Sequence, residues 1–202
     1  MQNIVYGYGD ALYINLTNRC SNACVFCIRN FRDGVSDDPL WLDREPTAEE
    51  VIAELERRGA DKTGKVVFCG FGEPTCALGV LTEVAAYLKS RGVMTRINTN
   101  GQSDLINGEA HTARRLKGLI DTVNVSLNAS TAEKYDDICR SVYGKKAFDA
   151  MLDFARDCVA EGIDTVMSAV DCIGEKEIEA CRKVAESVGA RFRVRVMVEG
   201  EN

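Results

Sequence analysis

A single histidine, His111, stands among 202 residues, which removes most histidine-based catalytic and metal sites from consideration. Long hydrophobic runs are missing as well: no apolar stretch approaches the ~18 residues of a spanning helix. The opening residues, Met1 to Asp10, carry neither the charged n-region nor the apolar h-region of a secretory signal. A soluble cytoplasmic protein without a membrane partner is therefore expected. Positive charge is in deficit, with 25 Lys and Arg against 31 Asp and Glu and a net charge of −6. That balance weighs against nucleic acid or anionic membrane as the main partner. A nucleic-acid module would have only Arg114, Arg115, Lys117 and the arginines of the last strand to support it. No linker, low-complexity tract or composition break divides the chain, so residues 1–202 are expected to form one domain, long enough to bury a real core.

Cysteine is what the chain has in excess. There are nine, an odd number, and without a secretion signal they fit reduced thiols, metal ligation or catalysis better than a disulfide framework. Cys69, Cys76, Cys139, Cys158, Cys172 and Cys181 are scattered, whereas Cys20, Cys24 and Cys27 crowd into one short loop.

Apolar periodicity alternates between strand and helix. Strands are expected at Leu12–Leu16, Val66–Cys69, Val93–Asn98, Thr122–Leu127, Thr165–Val170 and Arg191–Met197. Helical stretches with start and stop signals lie between them. Thr47 to Glu50 and Ser130 to Glu133 read as capping boxes, and Gly59, Gly162 and Gly189 as stops. From the second strand onward the strands recur at about the interval of one βα unit, the rhythm of parallel crossovers. Several strands alternate: Val123, Val125 and Leu127 oppose Asn124, Ser126 and Asn128. One face must pack on helices, so the polar faces should line a shared interior. The expected fold is an α/β partial (βα)6 barrel, a curved six-stranded parallel sheet with its active site at the C-terminal strand ends. Phe31 to Pro46 is the one long irregular stretch.

Ligand-type residues fall at successive strand ends. Cys20-Ser-Asn-Ala-Cys24-Val-Phe-Cys27 follows the first strand. Three thiolates on one loop can hold three corners of a cubane cluster and leave one iron open. Structural zinc would need a fourth ligand, and no second CxxC follows. Gly70-Phe-Gly-Glu-Pro74 follows the second strand, where glycines allow close backbone approach and a carboxylate can receive a cation. Asn98 to Gly101 ends the third strand and Ser126 to Asn128 the fourth.

The cysteine loop resembles the CxxxCxΦC motif of radical S-adenosylmethionine (radical SAM) enzymes, with Phe26 as the aromatic residue. Gly70-Phe71-Gly72-Glu73-Pro74 resembles their GGE motif, with Phe71 in place of a glycine. The six strands match that family's barrel over nearly the whole chain, and the small size and GFGEP sequence are most similar to the compact TatD-associated radical SAM proteins. The resemblance implies that Cys20, Cys24 and Cys27 ligate a [4Fe–4S] cluster whose fourth iron is chelated by SAM's methionyl amine and carboxylate. It implies that Glu73, with the backbone around Gly70, Phe71 and Gly72, binds the methionyl ammonium. Phe26 and Val170 would lie near the adenine, Ser126 and Asn128 near the ribose and carboxylate, with Asn98 and Asn100 as lumen candidates. A low-potential donor of the flavodoxin or ferredoxin type would reduce the cluster. The implied activity is reductive cleavage of SAM to a 5′-deoxyadenosyl radical that abstracts hydrogen from an unnamed substrate. The alternative is a non-catalytic iron–sulfur protein for electron transfer or structure, which would need a fourth protein ligand.

Two further features bear on the interior. Cys69, beside Gly70, is either a small buried hydrophobe or a lumen thiol, whereas Cys139, Cys158, Cys172 and Cys181 are expected in packing and His111 on the surface. In the last strand, Arg191, Arg193 and Arg195 share one face and Phe192, Val194 and Val196 the other. If the apolar face meets the helix that precedes it, Arg195 reaches the lumen as a substrate-binding residue and the substrate carries an anionic group. The competing reading is an edge strand guarded by solvated charge.

Overall fold

The computed structural model describes residues 2–35 and 38–197. Ser36 and Asp37, within the irregular stretch, lie outside the described residues, as do Met1 and residues 198–202. Strands β1 (Val5–Tyr8) and β2 (Ala11–Ile14) form an antiparallel hairpin at one edge of the main sheet. A two-stranded ribbon, β3 (Gly34–Val35) with β4 (Asp38–Pro39), stands apart from it. Strands β5 (Lys65–Phe68), β6 (Met94–Thr99), β7 (Thr122–Ser126), β8 (Asp164–Val170) and β9 (Arg191–Arg195) follow β2 in order, all parallel. The expected six-stranded parallel sheet is therefore present, and β1 adds a seventh, antiparallel strand.

The helices are α1 (Ala48–Arg57), α2 (Ala60–Thr63), α3 (Leu78–Ser90), α4 (Ser103–Asn107), α5 (Ala132–Cys139), α6 (Lys146–Ala160) and α7 (Glu175–Ser187). Alternation along the strands sorts the two faces of the sheet. Leu12, Ile14, Val66, Phe68, Ile97, Val123, Val125, Met167 and Ala169 join Val51, Leu55, Leu81, Leu88, Met151 and Phe154 of the helices in one continuous core. Asn124 and Ser168 are buried on the opposite face, where Tyr13, Cys69, Arg96, Asn98, Ser126 and Arg195 are partly buried. Period two in the strands thus gives a helix-covered outside and a polar inside.

Several boundaries differ from the sequence expectation for identifiable reasons. The Thr47 capping box forms, with Thr47 and Glu50 each accepting from the other's backbone N–H. The second cap lies one residue later than expected: Thr131 accepts from the Lys134 N–H, while the Ser130 N–H is taken by Glu177 at 2.7 Å. The last strand stops at Arg195, and the Met197 N–H turns to Asp171 Oδ1 at 2.9 Å. Of its expected helix-facing residues only Phe192 packs on the core; Val194 is 40% and Val196 81% exposed. Cys158 and Cys181 are buried as packing residues, but Cys172 is exposed, in the turn that follows β8. His111 is half-exposed and holds Asp157 across 2.7 Å.

Candidate active site

The cysteine loop leaves β2 and crosses the C-terminal ends of the strands, held there by backbone pairing with the end of α5. The Ala23 N–H donates to Cys139 O at 3.0 Å, the Val25 N–H to Ile138 O at 2.9 Å, and the Val142 N–H to Ser21 O at 2.9 Å. Beneath the loop lies a buried polar hub. Gln102 Nε2 donates to Asn22 Oδ1 at 2.8 Å and to the Tyr135 hydroxyl at 2.9 Å, while its Oε1 accepts from Ser21 and Ser141, each at 2.8 Å. Gln102, Tyr135 and Ser141 were not anticipated from sequence; they are common residue types, and Gln102 is distant in the chain from the other two, which lie in and just beyond α5. Asn100 joins the hub, with Nδ2 donating to Ser21 Oγ at 2.8 Å and reaching Cys20 Sγ at 3.9 Å.

The turn after β5 is pressed against the chain that leads into this loop. A Cβ on Gly72 would lie 2.2 Å from Thr17 O and 2.5 Å from Arg19 O, and one on Gly70 would lie 2.0 Å from Asn15 Oδ1. Only glycine permits that approach. Phe71, between them, is buried in a small side cluster with Tyr6 and Leu40. Glu73, 3% exposed, caps the following turn. Its Oε1 accepts from the Thr75 N–H (3.0 Å), the Thr75 hydroxyl (2.8 Å) and the Thr99 hydroxyl (2.7 Å), and its Oε2 from the Asn100 N–H at 2.7 Å. Burial pushes the carboxyl pKa up, against four hydrogen bonds that favour its charged form. Glu73 thereby ties the ends of β5 and β6 together.

The thiols differ among themselves. Burial, reinforced by the Glu73 charge, pushes Cys20 up to about 12, and burial also raises Cys27. Cys24 is lowered, chiefly by a hydrogen bond from the Cys139 thiol, which is correspondingly raised. Cys139 is therefore more than packing: it lies beside the Cys24 sulfur and shifts it, and nothing in the sequence spacing points to it. Among the described residues no three His, Cys, Asp or Glu side chains converge on a single ion position. A cubane does not ask for that, because its corners bind separate sulfurs. Three soft sulfur donors on one loop, with N–H groups of Asn22 (3.4 Å) and Asn100 aimed at Cys20, fit such a cluster.

The remaining predicted residues fall on the same rim. Asn128, two residues beyond β7, lies in the left-handed region (φ +57°), with its Nδ2 reaching Cys139 Sγ at 3.9 Å. Its Oδ1 accepts from Arg195 Nη2 at 3.2 Å. Ser126 and the buried Val170 lie at the ends of β7 and β8, Phe26 packs half-buried against the core, and Asn98 accepts from Asn124 Nδ2 at 3.4 Å. The three arginines of β9 part company. Arg191 pairs with Asp164 at the exposed surface, Arg193 is exposed, and Arg195 turns inward, where burial lowers its pKa and the Cys69, Cys24 and Cys139 thiols lie within electrostatic range.

A parallel βα sheet whose polar inner face opens on a rim of three cysteines defines a class: enzymes built on a partial barrel around an iron–sulfur centre. The chain belongs to the radical SAM superfamily, whose sequence pattern matches residues 14–187. Members of this enzyme family use a [4Fe–4S] cluster and SAM. A curated relative, the Fe-coproporphyrin III synthase of Methanosarcina barkeri (strain Fusaro / DSM 804), is 33% identical over 150 residues, 74% of this chain and 34% of the relative. The chain thus spans about a third of that relative's length. Among solved structures, Streptococcus suis SuiB bound to S-adenosylmethionine is similar with a TM-score of 0.67 at 21% identity, covering 93% of this chain and 38% of SuiB. TsrM from Kitasatospora setae, with cobalamin and a [4Fe–4S] cluster bound, gives 0.62 at 13%, covering 92% and 36%. These likenesses are of fold. Among the described residues no helix is long and apolar enough to cross a membrane.

Proposed function

We propose that this protein uses a [4Fe–4S] cluster on Cys20, Cys24 and Cys27 to cleave SAM reductively, and that the resulting radical abstracts hydrogen from a substrate held against the sheet's inner face. One observation carries the reading: the cysteine loop, the Gly70–Glu73 turn and Asn100 are bonded into a single rim at the C-terminal strand ends. When bound, the cluster and SAM supply a low-potential electron and the 5′-deoxyadenosyl radical made with it. The chain's own residues bind and orient. Glu73 Oε2 accepts one hydrogen bond and so retains capacity for the methionyl ammonium, alongside the backbone of Gly70, Phe71 and Gly72. Ser126 and Asn128 serve the ribose and carboxylate, Phe26 and Val170 flank the adenine, and Asn98 faces the lumen. Asn100 acts on the cluster side, its amide committed to Ser21 and Cys20.

The reading extends to a flavodoxin- or ferredoxin-type electron donor, a cytoplasmic setting and kinship with the TatD-associated subgroup. Anaerobic reconstitution with iron and sulfide, followed by SAM and dithionite, tests it. Formation of 5′-deoxyadenosine and methionine is expected. A reducible cluster that forms neither, with Cys139 as a fourth ligand, would instead describe an electron-transfer protein.

A further inference from the structure

Two arginines on the inner face, Arg96 and the Arg195 expected from sequence to meet an anionic substrate, have no part in the binding of cluster or SAM proposed above. Arg96 projects from β6 on the side of Asn98 that faces away from the cysteine loop, and Arg195 from the end of β9, beside Val170. Strand register puts both on the face that carries Cys69, Asn98 and Ser168. Among the described residues their hydrogen bonds end on neutral groups. Arg96 Nη2 donates to the Tyr13 hydroxyl at 3.2 Å, and Arg195 Nη2 to Asn128 Oδ1 at 3.2 Å. The Nε of each is buried with no hydrogen-bond partner, and so is Asn124 Oδ1. Two surface arginines behave otherwise: Arg191 grips Asp164 at 3.0 and 2.6 Å, and Arg19 grips Glu45 at 2.6 and 2.9 Å. A partly buried guanidinium whose Nε lacks a partner and beside which no carboxylate lies is costly, and a planar fork with its Nε free is shaped to accept a carboxylate or phosphate edge-on.

We propose that Arg96 and Arg195 are the two ends of a substrate subsite, and that the substrate carries two acidic groups, carboxylate or phosphate. One group sits deep at Arg96 and the other near the mouth at Arg195. Asn124 Oδ1 accepts an N–H or O–H from the stretch between them. This rests on the radical SAM reading for where the chemistry occurs and adds the class of molecule on which it acts. The cofactor's own anion does not account for the pair, because Arg96 lies on the far side of Asn98 from the cysteine loop.

The test is calorimetric titration of the reconstituted, SAM-loaded protein. The probes are the linear dicarboxylates from succinate to suberate, 1,3-propanediol bisphosphate, butyrate and neutral glutaramide. Saturable binding is expected for one diacid series, carboxylate or phosphate, with little for butyrate and none for glutaramide. Arg96→Gln and Arg195→Gln should each weaken the best diacid at least tenfold, with partial rescue by Arg96→Lys. Each glutamine variant should melt no lower than wild type, since it removes a buried Nε without a hydrogen-bond partner; a lower melting temperature marks a structural role and overturns the proposal. So does saturable binding of no diacid, or a diacid affinity indifferent to either arginine. If Arg195→Gln weakens SAM and leaves the diacid untouched, Arg195 belongs to the cofactor's carboxylate and the two-ended subsite is wrong. Formation of 5′-deoxyadenosine by the wild type tests the radical reading separately, so the two can fail independently.

Discussion

Glu73→Gln is the substitution whose consequence follows most directly from the geometry. The carboxylate accepts three hydrogen bonds at Oε1 and one, from the Asn100 N–H at 2.7 Å, at Oε2. An amide of the same shape cannot accept at both ends. With its oxygen kept among the three donors, its NH2 faces the Asn100 N–H, and a bond becomes a donor–donor contact. Loss of one bond to a buried charge costs about 1.5–3 kcal/mol. The other three weaken to neutral strength, while relief of the burial that raises this carboxyl's pKa offsets part of the loss. The net is about 2–3 kcal/mol, which at about 2–4 °C per kcal/mol in a domain of this size lowers Tm by about 5–10 °C. Circular dichroism melting of the apoprotein under anaerobic, reducing conditions reads this without any cofactor. SAM affinity of the reconstituted variant should fall roughly 10- to 100-fold. A Tm within about 1 °C of wild type would refute the view of Glu73 as the tie between β5 and β6.

Other outcomes are expected from single changes. Cys20→Ala, Cys24→Ala and Cys27→Ala should each abolish cluster binding, while Cys158→Ala and Cys181→Ala leave about four iron atoms per chain by iron and sulfide analysis. Gly72→Ala drives a Cβ toward Thr17 O and Arg19 O and should cost about 1–3 kcal/mol in denaturant unfolding, with iron loading reduced. Cys139→Ala removes the thiol that donates to Cys24. At about 1 kcal/mol and 59 mV per tenfold, the one-electron potential should fall by about 40 mV in an anaerobic redox titration. Asp121 accepts from Lys89 at 2.6 Å and the Thr95 N–H at 2.7 Å, which overcome burial and hold its pKa below the usual value. Its stabilising effect is complete above the unfolded pKa of about 3.9 and lost as pH falls through the lower folded value. Asp121→Asn should therefore lower Tm at pH 7, by an amount that shrinks as pH falls below the unfolded pKa and through the lower folded one.

The parallel strands were legible because burial on one side only writes period two into the sequence, as in Val123, Val125 and Leu127 against Asn124, Ser126 and Asn128. Strand β1 was not. Val5–Tyr8 is short, contains Gly7, and depends on the turn at Gly9 (φ +61°) and Asp10, a two-residue hairpin signal easily passed over beside Met1. The cysteine loop announced itself through crowding, and Gly70 and Gly72 through their place after a strand. What positions that loop was hidden. Gln102, Tyr135 and Ser141 are ordinary residues that meet only when the segment after β6 folds against the end of α5, and Cys139 reaches Cys24 only because α5 ends beside it. Arg195 shows the limit of alternation: period two put three arginines on one face, but the depth of each along an edge strand decided that Arg191 meets solvent and Asp164 while Arg195 turns inward.

Three cysteine ligands would leave one iron of the proposed cluster open to SAM. Electron paramagnetic resonance of the dithionite-reduced, reconstituted protein, recorded before and after SAM is added, examines that iron directly. A reduced [4Fe–4S] signal is expected whose g values shift when SAM binds, with the shift diminished in Glu73→Gln at subsaturating SAM. A signal that saturating SAM leaves unaltered in the wild type, from a fully loaded cluster, would contradict it.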